Sequence, residues 1–235
     1  MKLKGIVPRT WRLFKKIFLI LFVAQLLYII LLRWVNPPVT VTMISSWFSL
    51  WGTDKSFKRD YVNLEEMSQH VKLAVIASED QLFPDHDGFD FKSIEKAMKH
   101  NQKSKKIRGA STISQQVAKN VFLWQGRSYI RKGLEVYFTF MIEKIWGKKR
   151  ILEMYLNVAE MGEGVFGVEA AAQANYHKPA SNLNREESAM IAACLPNPVK
   201  YTVNPPARIT AARQRKILVQ MRNLAPDPDV AALVE

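Results

Sequence analysis

The chain has 235 residues and a formal net charge of +13, with 34 Lys and Arg side chains against 21 Asp and Glu. A hydrophobic content of 48% and a charged content of 23% are typical of a folded protein and exclude a disordered chain. The excess of positive charge predicts an anionic partner: nucleic acid, a phospholipid surface or a phosphorylated substrate. Cys194 is the only cysteine, so an intrachain disulfide is excluded, and a cysteine zinc finger or a cysteine nucleophile loses support.

The N-terminal residues combine a basic tail with an apolar run. Residues 1–16 are rich in Lys and Arg and are predicted to form a cytoplasmic tail, and residues 17–35 are long and apolar enough to cross a bilayer of about 30 Å. A cleaved signal peptide is the alternative, but no small-residue cleavage site follows the run. Because positive flanks stay in the cytoplasm, the rest of the chain is expected outside.

Residues 36–60 are predicted to be a linker and membrane-proximal segment. Pro37 and Pro38 end the anchor helix, and residues 39–51 are unusually apolar for a linker. Two interpretations of residues 39–51 stay open. They form a buried first helix of the following domain, or they lie in the outer face of the membrane.

Residues 61–235 predict one mainly α-helical domain. Apolar residues recur at helical spacing, and capping residues precede several of the runs. No strand pair is predicted. A first helix is expected to be opened by a capping box of Asn63 and Glu66 and to end at Glu79. The other predicted helices cover residues 91–99, 113–122, 129–146, 151–157, 168–175, 185–194 and 207–224.

Polar residues interrupt this helical pattern in three places. Each place alone is explained by a helix end, a helix cap or a surface ion pair. Together they offer two carboxylates on separate elements, several cations and a helix N-terminus after a glycine, which suits phosphate binding combined with acid–base work. The residues are Glu79, Asp80 and His86; residues 108–116 with Lys119; and Arg127, Arg131, Lys132 and Glu135.

Paired carboxylates are the usual equipment for chemistry at an anomeric carbon, where a proton moves and a cationic transition state forms. A hydrolase would need no phosphate site, whereas a transferase that uses a sugar pyrophosphate needs cations for the leaving group. The basic residues therefore favour a transferase. The predicted anchor suggests that the pyrophosphate donor is itself a lipid.

These residues resemble the signatures of the peptidoglycan glycosyltransferases of family 51, and the resemblance extends from about Asn63 to Pro198. No transpeptidase domain is expected after it, as in the monofunctional members. The resemblance implies a mainly α, lysozyme-like domain of two lobes with a cleft between them. The matching segments are Glu79-Asp80-Gln81-Leu82-Phe83 with His86, Gly88 and Asp90; residues 109–116; Arg131-Lys132-Gly133-Leu134-Glu135; residues 149–157; and residues 164–172.

The resemblance also implies roles for these residues. Glu79 would be the base that deprotonates the 4-hydroxyl of the N-acetylglucosamine of lipid II, and Glu135 would assist at the donor. The loop of residues 101–108 would be a mobile flap over the cleft. Pyrophosphate binding would fall to Lys119, Arg127 and Arg131, with Ser111, Thr112, Gln115 and Gln116 positioning it, and structural support of the site to Asp80, Phe83, His86 and Gly109.

No Asp-x-Asp metal motif is present, so no cofactor is expected to be required, and a divalent cation (Mg²⁺ or Mn²⁺) would only assist at the pyrophosphate. The expected partners are lipid II, the lipid-linked glycan chain, the membrane, and other cell-wall synthesis and division proteins, but not nucleic acid. The expected location is the bacterial inner membrane, with a single span and a periplasmic catalytic domain. A lysozyme-like lytic enzyme and a non-catalytic membrane scaffold remain as alternatives.

Overall fold

A computed structural model describes residues 6–104, 109–126 and 128–235. It divides into two units, Met1–Pro37 and Pro38–Glu235. The first unit contains helix α1, Ile6–Leu31, whose segment Thr10–Leu31 is long and apolar enough to cross a membrane. At 1.5 Å per residue these 22 residues extend about 33 Å, which fits a hydrocarbon core of about 30 Å.

The second unit is mainly helical, as predicted. The predicted ends of α5 and α9 agree with the structure, whereas α4 and α7 are longer than predicted, and α11 was not predicted. The helices are α2 (Val41–Leu50), α3 (Gln69–Glu79), α4 (Phe91–Lys103), α5 (Ile113–Phe122), α6 (Tyr129–Ile145), α7 (Lys148–Val158), α8 (Val168–Tyr176), α9 (Arg185–Cys194), α10 (Arg208–Leu224) and α11 (Pro228–Val234).

Helix α3 lies at the centre of the core. Residues 71–77 are all buried, because α3 packs against α9, α10 and α11. All of these residues except Lys72 are apolar, and a segment that is apolar on nearly every side is stable only when it is surrounded. Helix α5 forms a second packing centre with α6, α7 and α2. Glu79 and Asp80 lie at the C-terminal end of α3, and residues 109–116 lead into the N-terminal end of α5. Lys119 lies in the last turn of α5, and Arg131 and Glu135 lie on α6.

The capping box of Asn63 and Glu66 is present, but it does not open the long helix. It opens a 3₁₀ turn, Leu64–Glu66. Helix α3 begins later, after Ser68, whose hydroxyl accepts a hydrogen bond from the backbone N–H of His70 at 3.2 Å. The sequence pattern was therefore right about the cap and wrong about the element that it starts.

The expectation of no strand pair was wrong. Three short strands, β1 (Lys58–Arg59), β2 (Glu160–Gly162) and β3 (Val165–Phe166), form one sheet in the order β1–β3–β2. Strand β1 is parallel to β3, and β2 is antiparallel to β3. Strands of two or three residues are too short to show the alternation of side chains that predicts a strand. The sheet ties the segment after α2 to the segment after α7.

Candidate active site

Glu79 is the last residue of α3 and is half-buried. Its Oε2 atom accepts a hydrogen bond from Nε2 of Gln116 at 2.9 Å, and its Oε1 atom accepts one from the hydroxyl of Ser78 at 3.1 Å. Oε1 of Gln116 in turn accepts from the hydroxyl of Tyr155 at 3.2 Å. Two neutral donors thus orient the carboxylate, while its partial exposure leaves it accessible to a ligand.

Tyr155 is a fixed hydrogen-bond donor. Its side chain is buried, and this burial, followed by the negative charge of Glu79, raises the pKa of the Tyr155 phenol well above its usual value. The phenol therefore stays protonated and holds the amide of Gln116 with its oxygen toward Tyr155 and its nitrogen toward Glu79. The sequence did not identify Tyr155 as a site residue, because a tyrosine among the apolar residues of a helix is as typical of a core position as of a functional site.

Asp80 follows Glu79 and is buried. Both of its carboxylate oxygens lie close to Nε2 of His86, at 3.0 and 3.1 Å, and Oδ2 also accepts from the backbone N–H of Ile113 at 3.0 Å. Nδ1 of His86 accepts from the backbone N–H of Gly88, so the ring proton is assigned to Nε2, which donates to Asp80. Asp80 therefore joins the end of α3 to the beginning of α5.

The turn after Asp80 is held by Phe83 and Gly88. Phe83 is fully buried, and the ammonium of Lys148 lies 4.6 Å from the centre of its ring and donates to the carbonyl of His86. Gly88 has a φ of +87°, which glycine adopts without strain, and its carbonyl accepts from the hydroxyl of Thr112 at 2.7 Å. These contacts fit the supporting roles that the resemblance implies for Phe83 and His86.

The N-terminus of α5 is already occupied by protein groups. Thr112 and Gln115 are buried and form a capping box, with hydrogen bonds of 3.1 and 3.2 Å between the side chain of each and the backbone N–H of the other. This arrangement favours a structural role for both over contact with pyrophosphate. Ser111 and Gly109 are exposed ahead of the helix, and only Gln116 of the second signature points to Glu79.

Glu135 is buried on α6 between two cations. Its Oε2 lies 2.6 Å from Nη1 of Arg131, and its Oε1 pairs with the ammonium of Lys132. The spacing of three and four residues along one helix brings these side chains together. Nε of Arg131 is buried and has no hydrogen-bond partner among the described residues. The cluster is thus a buried carboxylate with more positive than negative charge around it.

Lys119 lies on α5 between the two predicted carboxylates. Burial lowers the pKa of its ammonium, the negative charges of Glu135 and Glu79 raise it, and the positive charges of Arg131 and Lys132 lower it further. The ammonium makes no hydrogen bond or ion pair with any described residue. Of the predicted pyrophosphate ligands that the structure describes, Lys119 and Arg131, only Arg131 is in an ion pair, so the ammonium of Lys119 is the more available to an anionic ligand.

The helices α2, α5 and α7 enclose a cavity of about 570 Å³ beside these groups. Gln116, Lys119 and Tyr155 line it, so the amide that donates to Glu79 opens onto the same space as the ammonium of Lys119. Its walls are otherwise mostly polar. They include Thr42, Ser45, Ser46, Ser49, Thr53, Asn120, Gln125, Glu160 and Glu163.

Two predicted features lie outside the described residues. Arg127 is one, and residues 105–108 of the expected flap are the other, although residues 101–103 of that segment continue α4. Within residues 6–104, 109–126 and 128–235, no cluster of three His, Cys, Asp or Glu side chains could hold a metal ion. The polar groups around Glu79 and Glu135 are amides, hydroxyls and cations, a donor set that does not fit a resident divalent cation.

A helical domain in which an oriented carboxylate lies next to a group of cations fits the class of enzymes that act on a glycosidic or sugar phosphate bond. Residues 47–222 match the family model described as Transglycosylase. The chain belongs to this family, and the resemblance to the glycosyltransferases is confirmed.

Proteins named biosynthetic peptidoglycan transglycosylase are similar over most of the chain. The biosynthetic peptidoglycan transglycosylase of Shigella boydii serotype 4 (strain Sb227) is 53% identical over 195 residues, which cover 81% of both chains. The protein of the same name from Cronobacter sakazakii is 52% identical over 200 residues, 83% of both chains. That of Escherichia coli (strain K12 / DH10B) is 53% identical over 195 residues, 81% of both chains.

Proposed function

We propose that this protein is a peptidoglycan glycosyltransferase that polymerises lipid II into β-1,4-linked glycan chains for cell-wall synthesis. Membership of the transglycosylase family and the names of the similar proteins support the class of enzyme. The observation that carries the proposed mechanism is the carboxylate of Glu79, which Gln116 and Ser78 orient near the ammonium of Lys119. That ammonium has no hydrogen-bond or ion-pair partner within residues 6–104, 109–126 and 128–235.

Glu79 acts as the general base. It takes the proton of the 4-hydroxyl of N-acetylglucosamine in an incoming lipid II while that oxygen forms a bond to C1 of N-acetylmuramic acid on the growing chain. The bond from C1 to the pyrophosphate oxygen breaks, and undecaprenyl pyrophosphate leaves with the electron pair. Attack from the face opposite the leaving group inverts C1 and gives the β linkage. The amide of Gln116 keeps the carboxylate pointed at the acceptor.

Cations stabilise the leaving group. Lys119 and Arg131 bind the pyrophosphate, with Nε of Arg131 as a donor that no described residue uses. Glu135 holds the guanidinium of Arg131 in place and adds negative charge near the donor sugar, whose anomeric carbon becomes positive in the transition state. Arg127 and Ser111 are proposed as further ligands of the pyrophosphate. No protein side chain is assigned to a metal, and a divalent cation would be held by pyrophosphate oxygens.

The orientation in the membrane follows from charge. Residues 1–16 carry Lys and Arg, so they stay in the cytoplasm, α1 crosses the bacterial inner membrane once, and Pro38–Glu235 lies on the periplasmic side. There the domain meets lipid II and the lipid-linked glycan in the bilayer. Other proteins of cell-wall synthesis and division are proposed partners.

Purified full-length protein mixed with lipid II in detergent or liposomes tests the proposal. We expect polymeric glycan to form, with one undecaprenyl pyrophosphate released for each glycosidic bond made. A parallel sample receives preformed, uncrosslinked glycan. Cleavage of that glycan without polymer from lipid II would identify a lytic enzyme and overturn the proposal, and the absence of both reactions would indicate a scaffold.

A further inference from the structure

We propose that α2 is a membrane-surface helix, with the side chains of Ile44, Trp47, Phe48 and Trp51 inserted among the lipid headgroups on the domain's side of the membrane. We call these four side chains the aromatic face. This surface depends on α1 crossing a bilayer but not on the transfer reaction.

Three different faces run along α2. Met43 and Leu50 are buried and pack into the domain. At 100° per residue, Ser45, Ser46 and Ser49 project roughly opposite to the aromatic face, and they line the cavity beside Lys119. Contacts on the two faces of α2 that do not carry the aromatic side chains fix the orientation of the helix. Gln125, for example, donates to the hydroxyl of Thr42 at 2.8 Å. The aromatic face therefore cannot turn inward without losing these contacts.

The aromatic face is large for an exposed surface. Trp47, Phe48 and Trp51 are 49%, 60% and 71% exposed. Their rings contact one another, with centroids 5.2 Å apart for Trp47 and Phe48 and 5.4 Å apart for Trp47 and Trp51. Residues 41–51 contain no charged side chain. A contiguous aromatic patch of this kind on a soluble surface favours association with an apolar partner.

The chain itself argues for lipid as that partner. Residues 32–40 alone connect α1 to α2, and even fully extended they reach no more than about 30 Å. A bilayer that holds α1 therefore keeps α2 within about 30 Å of the end of the span, so the headgroup region stays within its reach. Tryptophan is enriched in that region, because the indole ring combines a large apolar surface with an N–H donor. A second copy of the chain or another protein would explain the aromatic rings but not their attachment to an anchor.

The position of α2 at the membrane surface would also affect the reaction. The same short helix that contacts lipid carries the hydroxyl-bearing wall of the cavity on its other side. Binding at the aromatic face would hold that wall at the level of the headgroups, where the pyrophosphate of a lipid-linked substrate lies. This consequence, unlike the contact itself, rests on the proposed function.

Site-directed fluorescence in liposomes tests the contact directly. Cys194 is fully buried and its thiol pKa is raised by burial to about 12, so the wild-type chain is a suitable background that takes up little label. The variants Ile20→Cys, Phe48→Cys and Val219→Cys are labelled with an environment-sensitive dye. The full-length proteins are placed in liposomes that contain nitroxide-bearing lipids. Residue 20 reports on the anchor, and Val219, an exposed apolar residue of α10, is the matched control.

We expect strong quenching at positions 20 and 48 and at least fivefold weaker quenching at 219. Quenching at 20 but not at 48 would overturn the membrane-surface role of α2 while leaving the anchor intact. Equal quenching at 48 and 219 would also overturn it, because the contact would not be specific to α2. The emission of the dye at position 48 is also measured in liposomes without nitroxide at several protein concentrations. Emission that depends on protein concentration, without quenching by nitroxide lipids, would assign the aromatic face to self-association instead.

The combined variant Trp47→Gln/Phe48→Gln/Trp51→Gln separates the contact from its consequence. We expect its polymerisation rate in liposomes to fall at least fivefold relative to its rate in detergent, with Ile209→Gln/Val219→Gln as the control that keeps the wild-type ratio. An unchanged ratio in the triple variant would overturn the link between α2 and the reaction. If wild-type protein forms no polymer at all, the proposed function fails, and the quenching pattern still decides the contact.

Discussion

Nε2 of Gln116 lies 2.9 Å from Oε2 of Glu79 and donates a hydrogen bond to it, although the two residues are 37 positions apart in the chain. The bond connects the first residue of the first signature with the last residue of the second. Tyr155 fixes the direction of that bond through the other end of the same amide. The carboxylate is consequently aligned before any substrate arrives. Alignment of this kind reduces the entropy that a proton transfer would otherwise cost.

Gln116→Leu should lower the turnover number for glycan formation by about ten- to a hundredfold, since a hydrogen bond to a charged group contributes about 1.5–3 kcal/mol. KM for lipid II should change little, because Gln116 acts through Glu79. Steady-state kinetics check this. Gln173→Leu removes a bond of the same type and length, from Gln173 to Glu169 at 2.9 Å, and should keep full activity. A large rise in KM with unchanged turnover would instead indicate direct binding of substrate by Gln116.

Asp80→Asn should destabilise the domain by about 1–3 kcal/mol. The variant replaces one carboxylate oxygen by an NH₂ group, which is a donor and must face the N–H donor of either His86 or Ile113, so one hydrogen bond is lost. The change also removes a negative charge from the N-terminus of α5. Urea unfolding in detergent measures the effect. Asp227→Asn, at the partly exposed cap of α11, is the control and should cost less than about 1 kcal/mol. Equal losses for both variants would argue against a special role for Asp80.

Binding of the donor should weaken at alkaline pH because of Lys119. Burial lowers the pKa of this ammonium below its ordinary value of 10.5, so Lys119 loses its charge at a lower pH than an exposed lysine does. KM for the lipid-linked donor should therefore rise as the pH increases through that lowered pKa. Lys119→Arg should move this rise to higher pH, because guanidinium stays protonated. The same change at the exposed Lys144 should leave the profile unaltered, and an identical profile for both variants would contradict the assignment.

Lys119→Met separates function from stability. A lysine whose pKa is lowered on folding binds fewer protons in the folded state, so its contribution to stability becomes more favourable as pH rises from the folded pKa toward 10.5. At neutral pH its charge is a cost to the fold. We expect Lys119→Met to unfold at the same or a higher temperature than the wild type while losing about ten- to a hundredfold in activity. A strongly lowered melting temperature would indicate a structural role.

Much of the helical architecture could be predicted from the sequence, because capping residues and apolar spacing are local signals. The box of Thr112 and Gln115 predicted the start of α5 correctly. The same signal at Asn63 predicted the wrong element, since that capping box opens a 3₁₀ turn instead of an α-helix. The three-stranded sheet was missed because its pairing depends on contacts between distant segments and leaves no pattern in strands of two or three residues.

The site was predictable in its residue types but less so in their contacts. Carboxylates and cations stand out in an apolar helical chain, so Glu79, Lys119 and Glu135 could be identified as candidates. Sequence alone could not show that Gln115 is used in a cap and Gln116 in the site, because adjacent side chains on a helix differ by 100° in direction. The contact of Tyr155 with Gln116 joins α7 to α5 and depends entirely on tertiary packing.

Glu79→Gln tests the role of Glu79 as the general base most directly. The amide has nearly the same shape as the carboxylate but cannot accept a proton from the acceptor hydroxyl, and loss of a general base costs about 10²- to 10⁴-fold in rate. The initial rate of polymer formation from lipid II is measured for the wild type, Glu79→Gln and the control Glu186→Gln, which changes an exposed residue of α9. We predict a loss of at least a hundredfold for Glu79→Gln, with unfolding temperatures alike in all three proteins. A folded Glu79→Gln enzyme that keeps more than about a tenth of the wild-type rate would contradict the central claim that Glu79 is the base.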